Sequence, residues 1–134
     1  MAYADEIQKT KHCLKNLESI LEKLKEEWVF VEGKKDKNAL RKFGIENIKT
    51  ISGNLRISCN EVSGVAKKVV VLTDLDRKGE ELAKRANEEL ESCSIKADVE
   101  TRKHLAAILD LRCFEDMERK YEKFMEKVKE LKIR

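Results

Sequence analysis

Asp74 and Asp76 stand one residue apart directly after an apolar run, Val69–Leu72, in the stretch KKVVVLTDLDRKGEEL (67–82). In extended backbone, residues i and i+2 point the same way, so the two carboxylates are expected to share a side with Leu75 opposite. A third acid, Glu32, follows a second apolar run, Trp28–Val31, and precedes Gly33. Carboxylates that converge without cationic partners repel one another, and a hard cation between them removes the repulsion. Mg²⁺ suits such a set, with Mn²⁺ as a substitute, because it takes oxygen ligands and keeps several waters beside one or two carboxylates and a substrate phosphate. No softer metal is indicated: His12 and His104 lie far away in sequence and no Cys accompanies the acids. The structural alternative is that Asp at a strand end simply caps the helix that follows.

The elements that must position these acids can be read from periodicity. Ile7, Leu14, Leu17, Leu21 and Leu24 form one stripe of a helix over 4–27. Trp28–Val31 reads as a first strand. A short helix follows over Asp36–Phe43, with Gly44 as its stop. Ile48–Ile51 is a second strand, and 52–64 reads as a loop with one helical turn. Lys68–Leu72 is the third strand, Lys78–Ser92 a helix with Leu82, Ala86 and Leu90 inward, and Ile95–Val99 the fourth strand. Helices then cover Thr101–Leu109 and Phe114–Lys132. Alternating strands and helices predict an α/β fold with a parallel, four-stranded sheet and right-handed crossovers. In such sheets chemistry gathers beyond the carboxyl ends of the strands, where strand order reverses. Neighbouring first and third strands would bring Glu32, Asp74 and Asp76 to one cleft.

The bulk properties agree with this. The 134 residues are 41% hydrophobic and 41% charged, with five Gly and no Pro, a composition of one helix-rich domain over 1–134 with its core at about 28–99. The net charge is only +3, but residues 32–56 hold seven bases against three acids. The four cysteines form no C-x-x-C pair or zinc spacing, and no apolar stretch approaches the ~18 residues of a membrane span. A cytoplasmic protein with reduced thiols is the expectation. Aromatics are 5% of the chain, too few for a base-stacking platform. Trp28, Phe30 and the stripe Phe114, Tyr121, Phe124 read as packing. The two terminal helices are expected to pack within one chain, with a homodimer through them as the alternative.

VFVEGKKDKNALRKFG, then IKTISGN, then VVVLTDLDRKGEELAKR together resemble the Toprim domain. Topoisomerases of types IA and II, bacterial-type primases, OLD-family nucleases and a ribosomal-RNA-maturing ribonuclease share that domain. The likeness covers about 28–99 and is greatest to the small stand-alone Toprim proteins of archaea and bacteria. It implies a Rossmann-like Toprim fold. It implies Glu32 as general acid, general base or metal ligand, and Asp74 and Asp76 as Mg²⁺ ligands. Gly33 and Gly79 match motif glycines, Asp36 a recurrent Asp, Lys34 a recurrent Lys or polar position, and Thr50 and Gly53 the Thr-x-x-Gly stretch. The tyrosine nucleophile of topoisomerases and the further domains of primases have no counterpart here.

The function this implies is Mg²⁺-dependent phosphodiester chemistry on nucleic acid, as a nuclease or RNA-processing factor. Lys34, Lys35 and Arg77 are candidate phosphate contacts, whereas Lys37 and Arg41 read as a solvated helix face. Any grip on DNA or RNA would be electrostatic and insensitive to sequence. The alternative is a module that binds metal and nucleic acid, or a protein partner, without turnover. A receiver domain needs an acid pair after the first strand, and only one acid stands there. Gly33-Lys34 lacks the rest of a P-loop, and there is no G-x-G-x-x-G.

Overall fold

The computed structural model describes residues 2–133. Its elements run α1 (Ala2–Glu26), β1 (Trp28–Val31), α2 (Lys34–Arg41), β2 (Ile48–Thr50), α3 (Leu55–Val62), β3 (Lys68–Leu72), α4 (Arg77–Ser92), β4 (Lys96–Asp98), α5 (Thr101–Leu109) and α6 (Met117–Glu130), with a 3-10 turn, Phe114–Asp116, ahead of α6. The four strands form one sheet in the order β2-β1-β3-β4, and every pairing is parallel.

Both faces of the two central strands are buried, which is why β1 and β3 read as apolar runs, whereas the edge strands β2 and β4 carry Lys49 and Lys96. Val29, Val31, Val70 and Leu72 face one core with Leu17 and Leu24 of α1, Leu40 of α2, Leu105 and Leu109 of α5, and Met117 of α6. Phe30, Val69 and Val71 face the other, with Cys59 and Val62 of α3 and Leu82, Ala86 and Leu90 of α4. The chain leaves β1 toward β2 over the first face. It returns past β1 to β3 and on to β4 over the second. Crossovers of one hand running in opposite directions must use opposite faces. The sheet order therefore reverses between β1 and β3, the two strands followed by the acidic motifs.

Most boundaries agree with periodicity to within two residues. The segment expected to be mostly loop departs further: it contains α3, a two-turn helix with Leu55, Ser58, Cys59 and Val62 buried. Its i, i+3, i+4, i+7 spacing was present but diluted by Ser, Asn and Gly, which favour turns. The start of the last helix is a 3-10 turn, and α2 begins at Lys34 rather than Asp36.

The terminal helices pack within one chain. α1 lies against α5 and α6 on the first face, and Lys127 Nζ meets Glu6 Oε1 at 3.3 Å. Tyr121 packs edge-to-face on Phe43 with ring centroids 5.1 Å apart, so the aromatic stripe of α6 is packing. No helix among the described residues is long and apolar enough to cross a membrane.

Candidate functional site

Glu32 is the first residue beyond β1 and Asp74 the second beyond β3, so the reversal of strand order sets them side by side. The Asp74 amide donates to Glu32 Oε2 at 2.7 Å. This bond ties the two strand ends together where they have run out of ladder partners. The Asp74 carboxylate turns to the chain after α5, its Oδ1 accepting from the Phe114 amide at 3.2 Å. Asp36, in the first turn of α2, is 7% exposed and accepts from the Gly33 amide at 3.1 Å. Glu32, Gly33, Lys34, Lys35, Asp36, Ser52, Asp74 and Glu115 line a cleft of about 330 Å³.

The cleft is electrostatically uncomfortable. Burial, then the charges of Asp36 and Glu32, push the Asp74 carboxyl up to about 6, although the Phe114 amide works against them. Asp36 is likewise raised, first by burial and then, against the Gly33 hydrogen bond, by Glu32 and Glu115. Both shifts come first from burial and then from the like charge of the neighbouring carboxylates.

Asp76 is placed differently. It is the N-cap of α4, and its Oδ1 accepts from the Gly79 amide at 2.7 Å. The chain leaves the strand at Leu72, so the alternation expected to carry Asp74 and Asp76 to one side does not continue through them. Gly79 has a steric role: a Cβ there would run into the Asp74 carbonyl oxygen. The Thr73 hydroxyl donates to the Gly79 carbonyl at 2.7 Å, which presses the acidic loop onto the first turn of α4.

The proposed phosphate contacts divide. Lys34 and Lys35 border the cleft. The Arg77 side chain is 94% exposed and meets Glu81 at 3.4 Å. Gly53 takes a left-handed φ of +81° in the turn after β2 and lines a separate groove with Arg56 and Arg85. Thr50 closes β2, its carbonyl accepting from the Ser58 hydroxyl at 3.2 Å.

Sequence reasoning missed Glu115, the Phe114 amide and Arg102. Arg102, in α5, is 1% exposed. It donates Nε to the Thr73 carbonyl and Nη2 to the Asp74 carbonyl, each at 2.7 Å, and Nη1 to Glu80 Oε1 at 3.1 Å. The available signal was positional: Arg102 falls on the apolar stripe of Leu105, Ala106 and Leu109, where an arginine needs a reason.

Among the described residues, no three acidic, His or Cys side chains form a ready-made metal cage. The side chains of the cleft that could ligate a metal are nevertheless all oxygen donors, four of them carboxylates. That set fits a hard cation held by one or two carboxylates and otherwise by water. No Cys is among the residues lining the cleft, and burial pushes both Cys59 and Cys113 up to about 11, with the Asp116 hydrogen bond adding to the shift of Cys113.

Comparison with known proteins agrees with this architecture. The Toprim domain model matches residues 27–108. A UPF0292 protein of Pyrococcus abyssi is 42% identical over 111 residues, covering 77% of this chain and 82% of that protein. One from Thermococcus sibiricus is 37% identical over 117 residues, covering 82% and 91%. A solved structure from Aquifex aeolicus superposes with a TM-score of 0.66 at 31% identity, covering 74% of this chain and 95% of that one. Glu115 and Phe114 lie beyond the matched segment, whereas Glu32, Asp36, Asp74, Asp76 and Arg102 fall inside it. With both acidic blocks, the parallel sheet and the β1–β3 junction within that match, the chain belongs to the Toprim domain family.

Proposed function

We propose that this protein is a Mg²⁺-dependent enzyme acting on phosphodiester bonds of nucleic acid, as a nuclease or RNA-processing factor. One observation carries the reading: Glu32 and Asp74 adjoin at the sheet's switch point, in a cleft that Asp36 and Glu115 also line and whose rim carries Lys34 and Lys35.

Asp74 and Glu32 are the residues that would hold the ion, with Asp76 contributing the oxygen not used in capping α4. When bound, Mg²⁺ would neutralise phosphate charge and polarise the phosphoryl oxygen. The chain's own residues supply the rest. Lys34 and Lys35 attract and orient a phosphate at the cleft mouth. Glu32 exchanges a proton with the attacking or leaving oxygen, a role commonly worth ~10²–10⁴-fold in rate. Its Oε2 is steadied by the Asp74 amide, so the second oxygen is the one to face substrate. Asp36 and Glu115 keep the cleft negative, favouring a cation over a bare anion.

The runner-up reading, a module that binds metal and nucleic acid without turnover, draws on the capping role of Asp76, which ties one motif acid to helix structure. Incubation with labelled single- and double-stranded DNA and RNA, with and without Mg²⁺ or Mn²⁺, separates the two. An enzyme cleaves at least one substrate only with the metal, and Glu32→Gln abolishes cleavage while binding persists. No metal-dependent cleavage of any substrate, with Glu32→Gln altering affinity alone, favours the module.

A further inference from the structure

We infer that Arg102 is a positioning residue of this site: its buried guanidinium fixes the path of the backbone at Thr73–Leu75 and so decides where the Asp74 carboxylate sits. The functional meaning rests on the proposed role of Asp74, but the positioning itself is argued from geometry.

The residues after β3 have left the sheet ladder, and buried backbone groups there need other partners. The structure supplies them one by one. The Asp74 amide donates to Glu32 and the Leu75 amide to the Arg112 carbonyl, at 2.7 and 2.8 Å. The carbonyls of the same two peptide units, of Thr73 and Asp74, both accept from Arg102 at 2.7 Å. The loop is thus gripped by its N–H groups from one side and by its C=O groups from the other.

The alternative, that Arg102 exists to pair with an acid, fits the distances less well. Its acidic partner Glu80 is half-exposed and stands at 3.1 Å, longer than either carbonyl contact. A surface ion pair of that kind adds little, whereas a buried guanidinium is strongly destabilising unless its hydrogen bonds are satisfied. A packing role would be filled better by an apolar side chain on the same stripe. What an arginine adds is a rigid planar fork that reaches two successive carbonyls at once, which the point charge of a lysine does not. Residues that hold a ligand-bearing loop typically change metal affinity ~10–100-fold when replaced.

The test is amide hydrogen exchange in Arg102→Lys and Arg102→Ala, with Mn²⁺ titration as a second arm. Expected is a selective loss of protection at Asp74 and Leu75, about ten-fold or more beyond any change at Val70 and Val71 in the core of β3. Millimolar guanidinium should restore that protection in Arg102→Ala. Should both variants fail to fold, Arg102→Gln, which keeps one side-chain donor toward the carbonyls, should give the same local pattern, more weakly. Loss of protection uniform along the chain, or none at Asp74 and Leu75, overturns the inference. In the second arm, Mn²⁺ affinity should fall about ten-fold in Arg102→Lys. Wild-type protein that binds no Mn²⁺ would overturn the metal reading instead, while the exchange pattern still decides the positioning role.

Discussion

Glu32 and Asp74, 42 positions apart in sequence, are joined by a single hydrogen bond from the amide of one to the carboxylate of the other. This bond crosses the point where strand order reverses, and it makes Glu32 both a candidate reacting group and a brace for the loop that carries Asp74. Glu32→Gln retains an acceptor for the Asp74 amide, so it tests chemistry with little disturbance of the brace. Glu32→Ala removes both, and is expected to lower the melting temperature as well as activity. Thermal melts of the two variants side by side check this.

Asp74 should be a stability liability in the metal-free protein. Its folded value near 6 lies above its ordinary 3.8, so its stabilising contribution is full below about 3.8 and is lost as pH rises through about 6. Asp74→Asn is therefore expected to raise stability at pH 7–8, by about 1 kcal/mol, and to leave it unchanged near pH 4. Denaturant melts across that range would show it. A fall at pH 7 would mean that the Phe114 hydrogen bond outweighs the crowding.

Asp98 should behave in the opposite sense. Burial alone would raise it, but the hydrogen bonds from Lys23 and Thr101 and the Lys23 charge hold its carboxyl well below the usual range. Its contribution is present above the ordinary carboxylate value and is lost on further acidification. Lys23→Met should lower stability at neutral pH and flatten the acid limb of the stability curve, with little effect on cleavage, since this cluster ties α1 to the start of α5.

Asp76 and Gly79 separate structure from chemistry within one motif. Asp76→Ala removes the α4 cap and should cost about 1 kcal/mol, while Asp76→Asn should keep the cap at nearly full strength. Any loss of metal binding in Asp76→Asn then reports on coordination alone. Gly79→Ala should cost about 1–3 kcal/mol, because the added methyl runs into the Asp74 carbonyl and pushes the acidic loop off α4. Denaturant unfolding of the three variants measures all of these effects.

How much of this was legible in the sequence depended on how local the signal was. β1, β3 and α5 were read to the residue because each is a compact apolar pattern bounded by charge or turn residues. α3 reads as mostly loop because Ser58, Asn60 and the flanking Gly53 and Gly64 are turn-forming types that dilute its apolar spacing. Glu32 and Asp74 could be paired in advance because sheet order constrains where strand ends meet. The cap by Asp76 was visible only as an alternative, since both a cap and a metal ligand want an Asp before a helix. The wall formed by Phe114 and Glu115 was not legible, because it depends on how the chain after α5 folds back onto β3, a long-range contact with no sequence period. Arg102 left a trace, a charge on an apolar stripe, but nothing local names the carbonyls it holds.

Asp74 and Glu32 are proposed to hold a divalent cation, and Mn²⁺ relaxation titration reads that binding at the site itself. Weak binding is expected, because water would fill most of the coordination positions. Affinity should rise as pH passes through about 6, where Asp74 loses its proton. Asp74→Asn should abolish binding, and Glu32→Gln should weaken it. Equal Mn²⁺ binding by wild type and Asp74→Asn, or none by wild type at any pH from 5 to 8, would contradict the account.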